Sequence, residues 1–98
     1  MTQERPTEYS QEQKDTLKKC AVKLLESLEG SQLPESTQLL NGGLRKVLTQ
    51  VIESEDLKPV REVPFFSLMT RDYLPVKETG LYFDFYSMAM YGELAFRN

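Results

Sequence analysis

Histidine and tryptophan are absent from the 98 residues of the chain, and there is one cysteine, Cys20. The absence of histidine excludes any catalysis in which an imidazole acts as general acid or base, and together with the single cysteine it excludes the common zinc sites. The single cysteine excludes an intramolecular disulfide, and its place on an apolar helical stripe predicts a small packed side chain rather than a reactive thiol. The remaining polar residues show no spacing that identifies a reaction. We therefore expect neither an enzyme nor a bound metal or cofactor.

Long apolar runs are also missing. No run approaches the ~20 residues that a membrane-spanning helix needs, and the start of the chain, MTQERPTEYSQEQ, lacks the apolar centre of a signal peptide. These features predict a cytoplasmic protein with no membrane partner. The length predicts one domain over residues 1–98, with residues 1–7 flexible.

The chain has slightly fewer basic than acidic residues. The chain has 12 Lys and Arg residues against 15 Asp and Glu residues, which gives a formal net charge of −3. An acidic protein is repelled by phosphate backbones at long range, so the net charge favours a protein partner with a basic surface over nucleic acid.

Apolar residues at helical spacing predict a long first helix over residues 10–29. Ser10 and Gln13 fit a capping box at its start, and Gly30 is a natural stop. Its apolar stripe consists of Leu17, Cys20, Ala21, Leu24, Leu25 and Leu28.

Two more helices are predicted, at residues 34–41 and 44–54. Pro34 suits the first turn of the shorter one. Gly42 and Gly43 predict a break between the two, because a pair of glycines costs roughly 2 kcal/mol inside a helix.

The last third of the sequence predicts strands. Pro59, Pro64 and Pro75 disfavour long helices between residues 57 and 76, and residues 60–69 read as an extended segment. Leu81, Phe83 and Phe85 alternate with Tyr82, Asp84 and Tyr86, which is the period of a strand. Residues 77–80 read as a turn, and residues 87–98 remain ambiguous. The predicted fold class is α+β, with two or three N-terminal helices packed on a small antiparallel C-terminal sheet.

Aromatic residues are concentrated in this last third, where nine of the ten Phe and Tyr residues fall between Phe65 and Phe96. If one side of the last strand faces the core, the other side forms an exposed aromatic strip, a composition typical of protein interfaces. The predicted partner-binding residues are Tyr82, Asp84, Tyr86, Met88 and Met90. The favoured hypothesis is a small protein-binding module (an adaptor, inhibitor or regulatory protein) that binds another protein or a second copy of itself.

The element order also permits a winged-helix DNA-binding regulator, in which the third helix enters the major groove. Its base-contacting residues would be Arg45, Lys46, Thr49 and Gln50. Acidic residues at the end of this helix and the lack of a basic stripe make this the less favoured alternative, and element order alone does not establish function.

Overall fold

The structure, a computed structural model, describes residues 8–71 and 73–94. Within these ranges it contains helices and irregular segments and no β-strand, so the predicted α+β fold with an antiparallel C-terminal sheet is wrong. The prediction that residues 1–7 are flexible falls on residues that lie outside the described ranges. The elements in chain order are α1 (Gln11–Gly30), α2 (Pro34–Leu39), a π-helical turn (Leu40–Leu44), α3 (Arg45–Glu53), α4 (Phe66–Met69) and α5 (Val76–Tyr91).

Helix α1 begins where the sequence predicts. The Ser10 hydroxyl accepts a hydrogen bond from the Gln13 amide at 3.1 Å, and the Gln13 side chain accepts one from the Ser10 amide at 2.8 Å. This reciprocal pair satisfies two backbone donors that a helix start otherwise leaves unpaired. The buried side of the helix carries Leu17, Ala21, Leu24 and Leu28.

The break between α2 and α3 is a kink within the π-helical turn. Gly43 adopts φ 116°, a conformation that side chains with a Cβ rarely adopt, which explains why the helical path is interrupted there. Gly42 has a separate reason to be glycine, because a Cβ on it would lie 2.6 Å from Cζ of Phe65. Phe65 itself has φ 73° and starts α4.

The segment predicted as a turn and a strand, residues 77–86, lies entirely within α5. The alternating pattern was misleading because α5 is packed on more than one side, so apolar residues are not restricted to one helical stripe. Tyr82, Phe85 and Met90 all bury 96% or more of their surface although they project in different directions. The other predicted strand, within residues 60–69, is likewise wrong: residues 57–63 form neither helix nor strand, and residues 66–69 form α4.

Helix α1 lies at the centre and contacts both α5 and α3. Gln13 Nε2 donates to the Gly92 carbonyl at 3.2 Å, and Ser27 donates to Glu78 at 3.3 Å, so α1 and α5 run antiparallel. Lys18 donates to the Ser54 carbonyl at 2.5 Å, which fixes the end of α3 against α1. No helix in the described ranges combines the length and the apolar character needed to cross a membrane.

Candidate functional site

The predicted partner-binding residues do not form an exposed strip. Tyr82, Met88 and Met90 are buried, with 0%, 4% and 4% of their surface exposed, whereas Asp84 and Tyr86 are half-buried. Residues two apart share a face in a strand but not in a helix. The expectation that Tyr82, Asp84, Tyr86 and Met88 point outward together is therefore wrong.

Helix α5 has two distinct sides. Glu78 and Gly92 accept the hydrogen bonds from α1, and helical spacing places Phe85 and Ala89, both buried, on the same side. The opposite side, here called the outer α5 face, carries Val76, Gly80, Phe83, Asp84, Ser87 and Tyr91, which are spaced i, i+4, i+7, i+8, i+11 and i+15 along the helix. Ser87 is fully buried, so this face is covered at that point.

A cluster of half-buried rings borders the outer α5 face. The Phe66 ring of α4 makes an edge contact with Phe83, with centroids 5.7 Å apart, and stacks on Tyr86 at 4.5 Å. Tyr86 also makes an edge contact with Tyr91 at 6.3 Å. All four rings are half-buried, so they form one continuous aromatic surface that is neither core nor fully in solvent.

The outer α5 face begins with the most exposed large apolar side chain among the described residues, Val76, at 89%. One turn later Gly80 is exposed, and a Cβ placed on it would meet no atom within 4 Å. Asp84 is half-buried on this face, whereas Lys77 at its edge is exposed. Sequence reasoning missed Val76, Gly80, Phe83 and Phe66 as site residues. A helical rather than a strand period over residues 76–91 would have placed the first three together.

Two buried tyrosines hold the elements behind this surface. The Tyr82 hydroxyl donates to the Pro64 carbonyl, which ties α5 to the chain just before α4. The Tyr9 hydroxyl donates to the Ala89 carbonyl at 2.6 Å and accepts from the Val60 amide at 2.9 Å. Burial raises the pKa of both phenols; the nearby Tyr86 adds to the effect at Tyr82, and the Val60 hydrogen bond opposes it at Tyr9.

The residues of the nucleic-acid alternative lie on α3 but not in a winged helix. Arg45 forms an ion pair with Glu29 at 2.5 Å, Lys46 and Gln50 are exposed, and Thr49 is half-buried. In the described ranges no strand follows α3, so there is no wing beside it. The winged-helix architecture is therefore wrong.

No group of three or more Cys, Asp or Glu side chains in the described part of the chain is arranged to hold a metal ion. Cys20 is half-buried and packs against the core. Comparison of the chain with protein-family models, with curated proteins and with solved structures gave no match.

Proposed function

We propose that the protein is a small protein-binding module of the cytoplasm that docks another protein on the outer α5 face. The observation that carries this proposal is the position of Val76. Its side chain is 89% exposed and lies two helical turns before Phe83 on the same side of α5. The most exposed large apolar residue among those described thus lies on the same side of α5 as Phe83, a member of the half-buried ring cluster.

The composition of this surface suits a protein interface. Phe and Tyr are enriched in such interfaces because each ring gives a large contact area with few rotatable bonds. Phe66, Phe83, Tyr86 and Tyr91 already contact one another, so their side chains have little entropy left to lose when a partner covers them.

Gly80 adds a second argument. A glycine inside a helix costs roughly 1 kcal/mol relative to alanine, yet nothing within 4 Å of a Cβ at this position explains the choice. A partner that approaches the α5 backbone closely would explain it, because helix surfaces pack most closely where the side chain is smallest.

The expected partner carries a basic surface. Asp84 lies half-buried on the proposed contact surface, and the chain has a net charge of −3. A positive patch on the partner would complement it. We expect neither catalysis nor a cofactor to be involved.

The test places a long cationic side chain on the proposed surface without disturbing the fold. In Gly80→Lys the new Cβ meets no neighbour, and the helix gains intrinsic propensity. The matched control is Gly30→Lys, which makes the same change at the end of α1, where a Cβ also has open space. Partners are captured from host extract with the wild-type protein and identified by mass spectrometry, and their affinities for each variant are measured by calorimetry.

We expect Gly80→Lys to weaken binding at least about tenfold, the equivalent of about 1.4 kcal/mol, and Gly30→Lys to bind like the wild type. Equal binding by both variants would remove the outer α5 face from the proposal. Light scattering of the purified protein shows whether the partner is a second copy. If the wild-type protein is a dimer and Gly80→Lys is a monomer, the partner on the outer α5 face is a second copy of the chain.

A further inference from the structure

The accessible part of the outer α5 face is short and centred on Gly80. Val76 and Gly80 are exposed, and the half-buried Asp84 follows one turn later, whereas the face is covered at Ser87. The accessible stretch, residues 76–84, is about 12 Å long. A second helix can therefore contact it over little more than two turns, with Gly80 at the midpoint of the contact.

One flank of this stretch is charged. Because a helix turns by about 100° per residue, Lys77 and Asp84 lie on the same side of Gly80. Lys77 is exposed and Asp84 is half-buried. Lys77 precedes Gly80 by three residues and Asp84 follows it by four, so the two opposite charges lie almost equally far from the midpoint.

The other flank is apolar. The same helical rotation places Val76 and Phe83 together on the side of Gly80 away from the charges. The ring of Phe66 extends this flank, because it makes an edge contact with Phe83 at a centroid distance of 5.7 Å. Val76 precedes Gly80 by four residues and Phe83 follows it by three, so this pair is also centred on the midpoint.

This arrangement is complementary to itself. In an antiparallel pair of helices related by a two-fold axis, each flank of one helix faces the same flank of the other. With the axis at Gly80, Lys77 of each copy faces Asp84 of the other, at levels that differ by about 1.5 Å along the helix. In the same register, Val76 of each copy faces Phe83 of the other.

The charges also select the orientation. A parallel pair in register would place Lys77 beside Lys77 and Asp84 beside Asp84, and charges that flank a helix contact set partner orientation in this way. The antiparallel pair has two attractive contacts instead of two repulsive ones. Gly80, which carries no side chain, would let the two backbones approach closely at the axis.

We propose that the partner on the outer α5 face is a second copy of the chain, bound with the two α5 helices antiparallel and crossing at Gly80. This proposal rests on the proposed function, because it names the partner of the same surface. The net charge of −3 on each copy opposes the contact only weakly, since exposed charges more than about 8 Å apart are largely screened at physiological salt. The positive charge that complements Asp84 is Lys77 of the second copy.

An exchange of charges between copies tests this arrangement. Lys77→Glu places a carboxylate opposite Asp84, and Asp84→Lys places an ammonium group opposite Lys77, so each variant repels a copy of itself. In a one-to-one mixture the two new charges face each other, and the two native charges do as well. Sedimentation equilibrium measures the dimer Kd of each sample, and thermal midpoints show whether each variant is folded.

We expect the wild-type protein to form a reversible dimer with a Kd in the micromolar range, because a two-turn contact is smaller than a standard interface. Each variant alone should dimerise at least about tenfold more weakly, since two pairs per dimer each change by a few-fold or more. The mixture should recover a dimer of nearly wild-type affinity. Lys23→Glu, the same change at an exposed position on α1, should dimerise like the wild type.

If Asp84→Lys unfolds the protein, Gly80→Cys replaces it. Cysteines at the two-fold axis lie close enough to form an intermolecular disulfide under mild oxidation, whereas Gly30→Cys should form none.

A wild-type protein that stays monomeric up to about 1 mM, or a mixture no more dimeric than its two components, would overturn the proposal. A monomer that captures a different protein and loses it in Gly80→Lys would still support the proposed function, so the two failures can be told apart.

Discussion

The Tyr9 hydroxyl forms hydrogen bonds with two backbone groups from distant parts of the chain. It binds the Ala89 carbonyl, one of the last four of α5, which a helix leaves without an intrahelical partner. The same oxygen accepts from the Val60 amide of the extended segment. One buried phenol thus satisfies two backbone groups that are far apart in the sequence.

We expect Tyr9→Phe to lower the free energy of unfolding by about 1–3 kcal/mol, because the ring remains but two backbone groups lose their partner. Tyr73→Phe is the matched control: the Tyr73 hydroxyl binds Gln38 at 2.7 Å, but in an exposed position. Its loss should cost less than about 0.5 kcal/mol. Urea unfolding followed by circular dichroism measures both values, and equal losses would show that Tyr9 has no special role.

The raised pKa values of Tyr9 and Tyr82 predict loss of stability at alkaline pH. In the unfolded chain a tyrosine loses its proton near pH 10, whereas in the folded protein these two keep theirs to higher pH. Stability is therefore complete below about pH 10 and falls above it, by at most about 1.4 kcal/mol per pH unit for each tyrosine. Urea unfolding between about pH 8 and pH 11 should show a shallower fall for Tyr9→Phe than for the wild type. Identical slopes would contradict the assignment for Tyr9.

At the scale of elements, the junction of α2 and α3 depends on Gly42 as well as on the kink at Gly43. A methyl group on Gly42 would lie 2.6 Å from the Phe65 ring. Phe65 occupies a left-handed conformation at φ 73°, which costs roughly 1–2 kcal/mol for a residue with a side chain. The contact between the ring and Gly42 is part of what holds α4 in this position.

Gly42→Ala should therefore destabilise the protein by about 1–3 kcal/mol, because the Phe65 ring must move out of a packed position. Gly30→Ala, where the new methyl group meets no atom within 4 Å, should be neutral or slightly stabilising. Thermal unfolding of the two variants tests this. A Gly42→Ala protein as stable as the wild type would show that the ring can move without cost.

The helices of the N-terminal half could be predicted from the sequence, but α5 could not. Leu17, Leu24 and Leu28 share one buried stripe, and Ser10 marks the start of α1, so period and capping agree. In α5 the buried residues Tyr82, Phe85, Met88 and Met90 project in different directions around the helix. Such a sequence has no clean helical stripe, and its aromatic alternation fits a strand equally well.

The residues of the outer α5 face could be predicted only in part, because the aromatic alternation of α5 was interpreted as a strand. Asp84 and Tyr86 of the predicted set lie on or beside it, but Tyr82, Met88 and Met90 belong to the core. The contacts of Tyr9 with Val60 and Ala89 join residues 51 and 80 positions apart, and no local pattern in the sequence indicates such pairs.

At the scale of the whole molecule, the ring-rich last third is divided between core and surface. Tyr82 and Phe85 are fully buried, whereas the other described rings of this region are half-buried: Phe65, Phe66, Tyr73, Phe83, Tyr86 and Tyr91. Helix α1 covers one side of α5. On the outer α5 face Val76 and Gly80 are exposed, whereas Phe83, Asp84 and Tyr91 are half-buried.

The most direct test of the central claim is site-specific photo-crosslinking from the outer α5 face in cells of the native host. Benzoylphenylalanine replaces Val76, which is 89% exposed, and in a control protein it replaces Leu33, an apolar residue that is 38% exposed at the start of α2. If the outer α5 face binds a partner protein, we expect a discrete crosslinked product from position 76 and none from position 33. Crosslinks of equal yield from both positions, or none from position 76, would contradict it.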